Sequence, residues 1–220
     1  MLEVLYEDNH LIAINKKSGD IVQGDKTGDA PLSDFVKAYI KKKYNKPGDV
    51  FLGTIHRLDR PTSGIVLYAR TSKALTRMNE QFREKQVQKT YWAVVDNAPR
   101  NSSGSLDNHL QKNQKQNKSY VTKTGVGKHA VLKYKLIKKL DNFYHLEIKP
   151  KTGRHHQIRV QLANIGCIIK GDLKYGARRS NKDASIHLLA QRLEFIHPVK
   201  KEPITIIAPA PKDSVWDACS

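Results

Sequence analysis

Cysteine is almost missing from this chain, and acid is scarce beside base. Cys167 and Cys219 are the only two cysteines in 220 residues, far apart and without metal-ligand spacing. That pattern argues against a disulfide scaffold and fits a reducing compartment. The N-terminus, Met1-Leu2-Glu3-Val4-Leu5-Tyr6-Glu7-Asp8, has no basic leader and no long apolar core, so it does not read as a signal peptide. No apolar run is long enough to span a bilayer, and a cytoplasmic protein is expected. There is no Gly-rich phosphate loop followed by Lys-Ser/Thr, no dinucleotide fingerprint, no His-Glu-x-x-His and no Gly-x-Ser-x-Gly. His155 and His156 are adjacent, so on a helix they would point about 100° apart and not chelate one metal together. No metal site is expected.

What the chain has in quantity is positive charge. Lys and Arg number 39 against 21 Asp and Glu, a formal net charge of +18, and the sequence pI is about 9.8. Such an excess works against a compact fold unless something gains from it, and the usual beneficiary is a polyanion. An anionic membrane fits less well, because no strongly amphipathic basic helix is evident. Hydrophobic residues at 39% and charged residues at 27% describe an ordinary globular chain, long enough for one good core.

Residues 4–6 and 11–14 read as short strands around the polar turn 7–10, and 18–31, with Gly19, Gly24 and Gly28, as a loop. A helix is expected over 32–44, with Leu32, Phe35, Val36, Tyr39 and Ile40 on one face and Lys41, Lys42 and Lys43 at its end, where cations suit the helix dipole. A second helix, N-capped by Ser72, runs to Lys85, and 87–96 is aromatic and β-branched enough to be a strand. Residues 105–110 form a short strand and 111–118 a mobile basic loop; 130–140 and 143–149 alternate as a hairpin. Thr152 to Arg159 open a helix that turns Ile158, Leu162 and Ile165 inward and stops at Gly166. Residues 186–196 are apolar, and 203–208 make a last strand. No repeat or linker divides the chain. Adjoining strands outnumber helices, which makes the class α+β with a largely antiparallel sheet.

One acid stands out. In His56-Arg57-Leu58-Asp59-Arg60-Pro61-Thr62-Ser63-Gly64, Asp59 sits between two arginines, ahead of a turn and of the apolar strand 65–69. Nearby cations keep such a carboxylate ionised, which suits either a structural ion pair or a nucleophile. A lone carboxylate is too few for the usual paired acid–base glycosidase chemistry.

This stretch resembles the catalytic-aspartate motif of the RluA-type pseudouridine synthases. Lys89-Thr90-Tyr91-Trp92-Ala93-Val94-Val95 is similar to that family's tyrosine-bearing strand, and Thr152-Gly153-Arg154-His155-His156-Gln157-Ile158-Arg159-Val160 to its third motif. Gly171-Asp172, Tyr175-Gly176, Phe195-Ile196-His197-Pro198 and Ala208-Pro209 resemble its closing segments, in the right order. The resemblance implies the pseudouridine synthase fold: a single α+β catalytic domain over 1–220, with a mixed, mostly antiparallel sheet, flanking helices and a central RNA-binding cleft. It implies isomerisation of specific uridines to pseudouridine in structured RNA, either large-subunit ribosomal RNA or transfer RNA, by a monomer needing no metal and no cofactor. Asp59 would be the nucleophile, attacking base or ribose. Tyr91 would stack on the target base, and Arg159 would pair with Asp59. Arg57 would fill the gap left by the flipped uridine, a step that costs a few kcal/mol.

His56, Arg60, Arg154, His156 and Gln157 complete the expected substrate-binding set, with Arg154 and His156 as supporting or phosphate contacts. Gln161 stands where the family more often has His, and His155 where a small hydroxyl residue is commoner. The small N-terminal RNA-binding domain of many relatives is not expected. RNA would then meet the basic face carrying Lys41 to Lys43, Lys112, Lys115, Lys118, Arg178 and Arg179, with salt-dependent affinity. Two rival functions share the residues: a non-catalytic RNA-binding or ribosome-assembly factor on the same fold, and a nuclease using His56 and Asp59.

Overall fold

The computed structural model describes residues 2–24 and 28–219. The loop expected over 18–31 therefore falls partly outside the described residues, as does Met1. In chain order the elements are β1 (Val4–Glu7), β2 (Leu11–Lys16), α1 (Leu32–Lys43), β3 (Gly53–Thr54), β4 (Ser63–Ala69), α2 (Ser72–Arg83), β5 (Gln88–Val95), β6 (Ser103–Asn113), β7 (Lys118–Thr122), β8 (Lys128–Lys139), β9 (Tyr144–Pro150), α3 (Gln157–Asn164), a 3-10 turn (Leu173–Tyr175), β10 (Leu188–Ile196), β11 (Pro203–Ile207) and α4 (Ser214–Asp217). The class is α+β, as expected. The chain forms two compact units, one from residues 1–88 and 190–209, the other from 89–189 and 210–220.

In the first unit β2 pairs antiparallel with β1 and β4, and β10 with β11. Leu11, Ile12, Ala13, Ile14 and all of β4 are buried, so these strands are apolar on both faces rather than alternating. Helix α1 buries Leu32, Val36 and Ile40, at helical spacing, while Phe35 on the expected inner face is exposed. The N-cap of α2 is Thr71, whose hydroxyl accepts the Ala74 N–H, rather than Ser72. Glu7 ties the end of α1 to β1: its carboxylate accepts from Lys43 (2.7 Å), Tyr44 (2.8 Å), Tyr39 (3.0 Å) and Arg70 (3.1 Å). Burial alone would raise the Glu7 pKa, but hydrogen bonds from Lys43, Tyr44 and Tyr39 outweigh it and hold it low. Lys43 is thereby committed to structure. His197, fully buried, donates Nε2–H to Asp8 (2.8 Å) and accepts the Val199 and Lys200 N–H groups at Nδ1.

In the second unit the order is β5-β9-β8-β6-β7, each neighbouring pair antiparallel. Ala93, Val95, Leu132, Leu146, Ile148, Ile158, Leu162 and Ile169 form its core. β6 is eleven residues long, not the six expected, and residues 111–118 are not a free loop. They complete a hairpin with β7, whose tip is held by Lys174 Nζ on the carbonyls of Gln116 and Asn117. Helix α3 begins at Gln157, five residues later than expected, because His156 is left-handed (φ 53°). Ile165 follows the helix and is 38% exposed, not inward, while Gly166 (φ 77°) ends it as expected.

His145 lies buried on β9 beside Trp92, ring centroids 5.0 Å apart, and neither ring nitrogen has a hydrogen-bond partner among the described residues. Burial pushes its pKa from the ordinary 6.5 down to about 4, with Glu147 opposing and Lys138 assisting. Since the unfolded chain holds this proton more tightly, the contribution is complete above pH 6.5 and is lost as the pH falls through about 4. Urea titrations should show stability falling by up to about 3 kcal/mol over that window from this group. His145→Phe should flatten that part of the profile.

Candidate active site

Asp59 is half-buried, between exposed Arg57 and Arg60, in a turn closed by the Thr62 N–H on the Asp59 carbonyl (3.0 Å). What fixes this turn is a residue that the motif reading missed. Lys16 ends the buried strand β2, is 1% exposed, and donates Nζ–H bonds to the carbonyls of Lys17 (2.9 Å), Arg60 (3.0 Å) and Thr62 (2.8 Å). Three donors meet three acceptors, so the ammonium is satisfied without a direct carboxylate. The Arg60 carbonyl also accepts the Gly19 N–H, which tacks the turn to a second loop. Burial lowers the Lys16 pKa to about 8; the charges of Asp20 and Asp59 oppose the shift and Arg60 adds to it. The sequence signal was a lysine continuing an otherwise buried apolar strand.

Behind the turn, Gly64 (φ 110°) has no room for a side chain. A Cβ there would collide with the backbone of Ala190. The other expected residues of this unit are also placed. Arg57 is exposed. Arg60 pairs with Asp29 at 2.8 Å, both half-exposed. His56 accepts the Leu67 N–H at Nε2 (3.1 Å), so its proton is on Nδ1, and its ring stacks on Phe82 at 5.2 Å. The first contact holds β4 and the second reaches α2.

The second unit carries Tyr91, Arg154, His156, Gln157 and Arg159. Tyr91 is half-buried on β5, opposite Ile148, and packs on the core. Lys89, two residues earlier, lies 3.8 Å from the position of a Gly153 Cβ, and burial lowers its pKa. Gln157 is buried and spends its amide on the backbone around it: Oε1 accepts Thr152 Oγ1–H (2.7 Å) and the Arg154 N–H (3.0 Å), and Nε2 donates to the Val131 carbonyl (3.1 Å). These bonds hold 152–156 out of the helix expected there. Exposed Arg154 reaches the His129 carbonyl through Nε (2.9 Å).

Because His156 is left-handed, its ring stacks on that of His155 at 3.8 Å instead of diverging as in a helix. His156 Nδ1 lies 2.9 Å from Tyr175 Oη, which also accepts the Ser119 N–H and donates to the Ser119 carbonyl. With the tyrosine hydrogen so used, His156 is the donor. Burial, then Arg159, His155, Lys174 and Lys112, drive its pKa far down, so it stays neutral. Arg159 is 4% exposed. It grips Asp172, itself 1% exposed, through Nε (2.7 Å) and Nη2 (2.8 Å), and its guanidinium lies 5.2 Å from the Tyr175 ring centre. Of the expected basic face, Lys112, Lys115, Arg178 and Arg179 are exposed and Lys118 is half-buried.

Among the described residues no group of three or more His, Cys, Asp or Glu side chains is placed to hold a metal, and no helix is long and apolar enough to cross a membrane. The arrangement offers a half-exposed carboxylate on a rigid turn, an aromatic on a strand and a buried, pinned guanidinium. If Lys16 is what fixes the turn, Lys16→Met strands three carbonyls and should cost about 3 kcal/mol in urea unfolding, at roughly 1 kcal/mol or more each. Met keeps most of the volume, so an unchanged midpoint would show that the ammonium is dispensable.

Residues 10–164 match the family model described as RNA pseudouridylate synthase. The chain is 35% identical over 225 residues to the ribosomal large subunit pseudouridine synthase D of Xylella fastidiosa, covering 96% of this chain and 67% of that protein. It is 36% identical over 212 residues to the ribosomal large subunit pseudouridine synthase C of Vibrio vulnificus, covering 94% and 65%. The chain thus spans about two thirds of the length of these relatives. Among solved structures, human RNA pseudouridylate synthase domain containing 4 superposes with a TM-score of 0.79 over 99% of this chain and 91% of that one, at 24% identity, a likeness of fold. The chain belongs to the RNA pseudouridylate synthase family of enzymes.

Proposed function

We propose that residues 1–220 act as one catalytic domain that converts uridine to pseudouridine in ribosomal RNA of the large subunit. The reading is carried by one observation: the family match spans the Asp59 turn, and that turn is clamped in the first unit by Lys16 and by the close approach at Gly64. A nucleophile must be held still relative to its target, and loops gain that rigidity only from bonds of this kind. In this reading Asp59 attacks the flipped uridine, Tyr91 stacks on the base and Arg159 is the cation of the reaction. Arg57 enters the space the base vacates, His56 and Gln157 hold the backbone around the reacting groups, His156 orients the Tyr175 hydroxyl, and Arg60 and Arg154 meet phosphate. The enzyme works as a monomer in the cytoplasm, without metal or cofactor. The choice of large-subunit RNA rests on the names of the relatives in Xylella and Vibrio; the net charge of +18 supports an RNA partner in general.

The test is tritium release from C5-labelled uridine in RNA, since the isomerisation replaces the C5 hydrogen. Wild-type protein should release tritium; Asp59→Asn should release none while still binding RNA. Full turnover by Asp59→Asn would overturn the nucleophile assignment. Binding without turnover by the wild type would leave a non-catalytic RNA-binding factor, and strand scission would leave a nuclease. Mapping pseudouridines in cells with and without the gene should show a large-subunit position lost on deletion; a lost transfer-RNA position would overturn the substrate.

A further inference from the structure

We propose that Asp172 is a positioning residue for Arg159, and that the segment Gly171-Asp172-Leu173-Lys174-Tyr175-Gly176 is built to hold one guanidinium in one orientation. The inference rests on the reading of Arg159 as a catalytic cation. An arginine side chain has many rotamers, and a buried one is useful in a reaction only if something else chooses among them. Two constraints do so here. Asp172 takes the Nε and Nη2 edge in a two-point grip at 2.7 and 2.8 Å, which fixes the direction of the fork. Tyr175 lies against the face at 5.2 Å, which fixes the plane. Asp172 engages the Nε and Nη2 edge of the fork, so the orientation of the whole planar guanidinium follows from that grip.

The clamp is itself held. The Asp172 N–H donates to the Ile169 carbonyl, and the Asp172 carbonyl accepts from Tyr175 and Ala177, at 3.0 Å each. Gly171 (φ 87°) lets the backbone pass where a Cβ would strike the Ser185 carbonyl and the Asn181 side chain. Tyr175 is anchored at its hydroxyl by Ser119 and His156. Asp172 and Arg159 are both buried, and the Asp172 carboxylate has no role in the proposed chemistry, so positioning accounts for a buried charge that would otherwise be costly.

The test is steady-state turnover of a uridine-containing RNA by Asp172→Asn, which keeps the volume and loses the charge and one leg of the grip. Misplacing a catalytic group by about 1 Å costs on the order of 100-fold, so kcat should fall by about that factor with KM for RNA unchanged. Arg159→Lys should be impaired as well, and the double variant should be no slower than Arg159→Lys alone, because Asp172 acts only through Arg159. A folded Asp172→Asn with wild-type kcat, a loss confined to KM, or losses that multiply in the double variant would each overturn the proposal. If Asp172→Asn does not fold, Asp172→Glu carries the same test: the charge stays, one methylene shifts the guanidinium, and kcat should drop while Tm holds. Wild-type kcat in a folded Asp172→Glu would then refute it. A wild-type protein that makes no pseudouridine in any RNA would instead refute the proposed function, and this inference with it.

Discussion

A single buried ammonium organises the Asp59 turn. Lys16 lies at the end of a strand that is apolar on both faces, where a lysine would ordinarily be excluded, and it is tolerated because three backbone carbonyls converge on it. Those carbonyls belong to its own neighbour and to two residues of the Asp59 turn, so the strand and the turn cannot shift independently. β4 follows at once, and its glycine, Gly64, admits the Ala190 backbone at a distance that any side chain would forbid. Asp59 owes its place to atoms that are not its own.

The same economy governs the second unit. The surface carries the excess of lysine and arginine, while inside Arg159 and Asp172 match each other's charge and the neutral polar ends of Gln157 and Tyr175 meet backbone groups. The basic surface accounts for attraction to a polyanion; the matched interior accounts for geometry. Among the described residues of this unit, the two ring nitrogens of His145, which burial keeps neutral, and Oε1 of Gln161 are buried without a hydrogen-bond partner.

Much of this was legible in the chain. β1 and β2 around a polar turn, α1, α2, β5 and the β8–β9 hairpin follow from periodicity and turn residues, and α+β follows from their order. The misreadings have local causes. The helix expected from Thr152 starts at Gln157 because a left-handed His156 and the Gln157 side chain capture the preceding backbone, information absent from apolar spacing. The polar run 111–118 lacks a hydrophobic pattern yet pairs as a hairpin, since its backbone ladder and Lys174 supply what its side chains do not. At the site, motif order drew attention to Asp59, Tyr91 and Arg159, but not to Lys16 or to the grip of Asp172. Both act on backbone or on one other side chain, and such roles leave little trace in composition.

The division of the chain into units has a consequence for biogenesis. The first unit is made of residues 1–88 and 190–209, so its N-terminal part leaves the ribosome about 100 residues before the segment that completes it. At about 5–20 residues per second that interval lasts on the order of 5–20 s. Throughout it, the apolar strands β2 and β4 exist without β10, while the intervening 89–189 can begin to collapse on itself. The C-terminal eleven residues then return to that second unit. Neither unit is a contiguous piece, so a cut at any one point removes part of a core rather than a module, and nascent chains of this topology expose paired apolar strands to whatever chaperone meets them first.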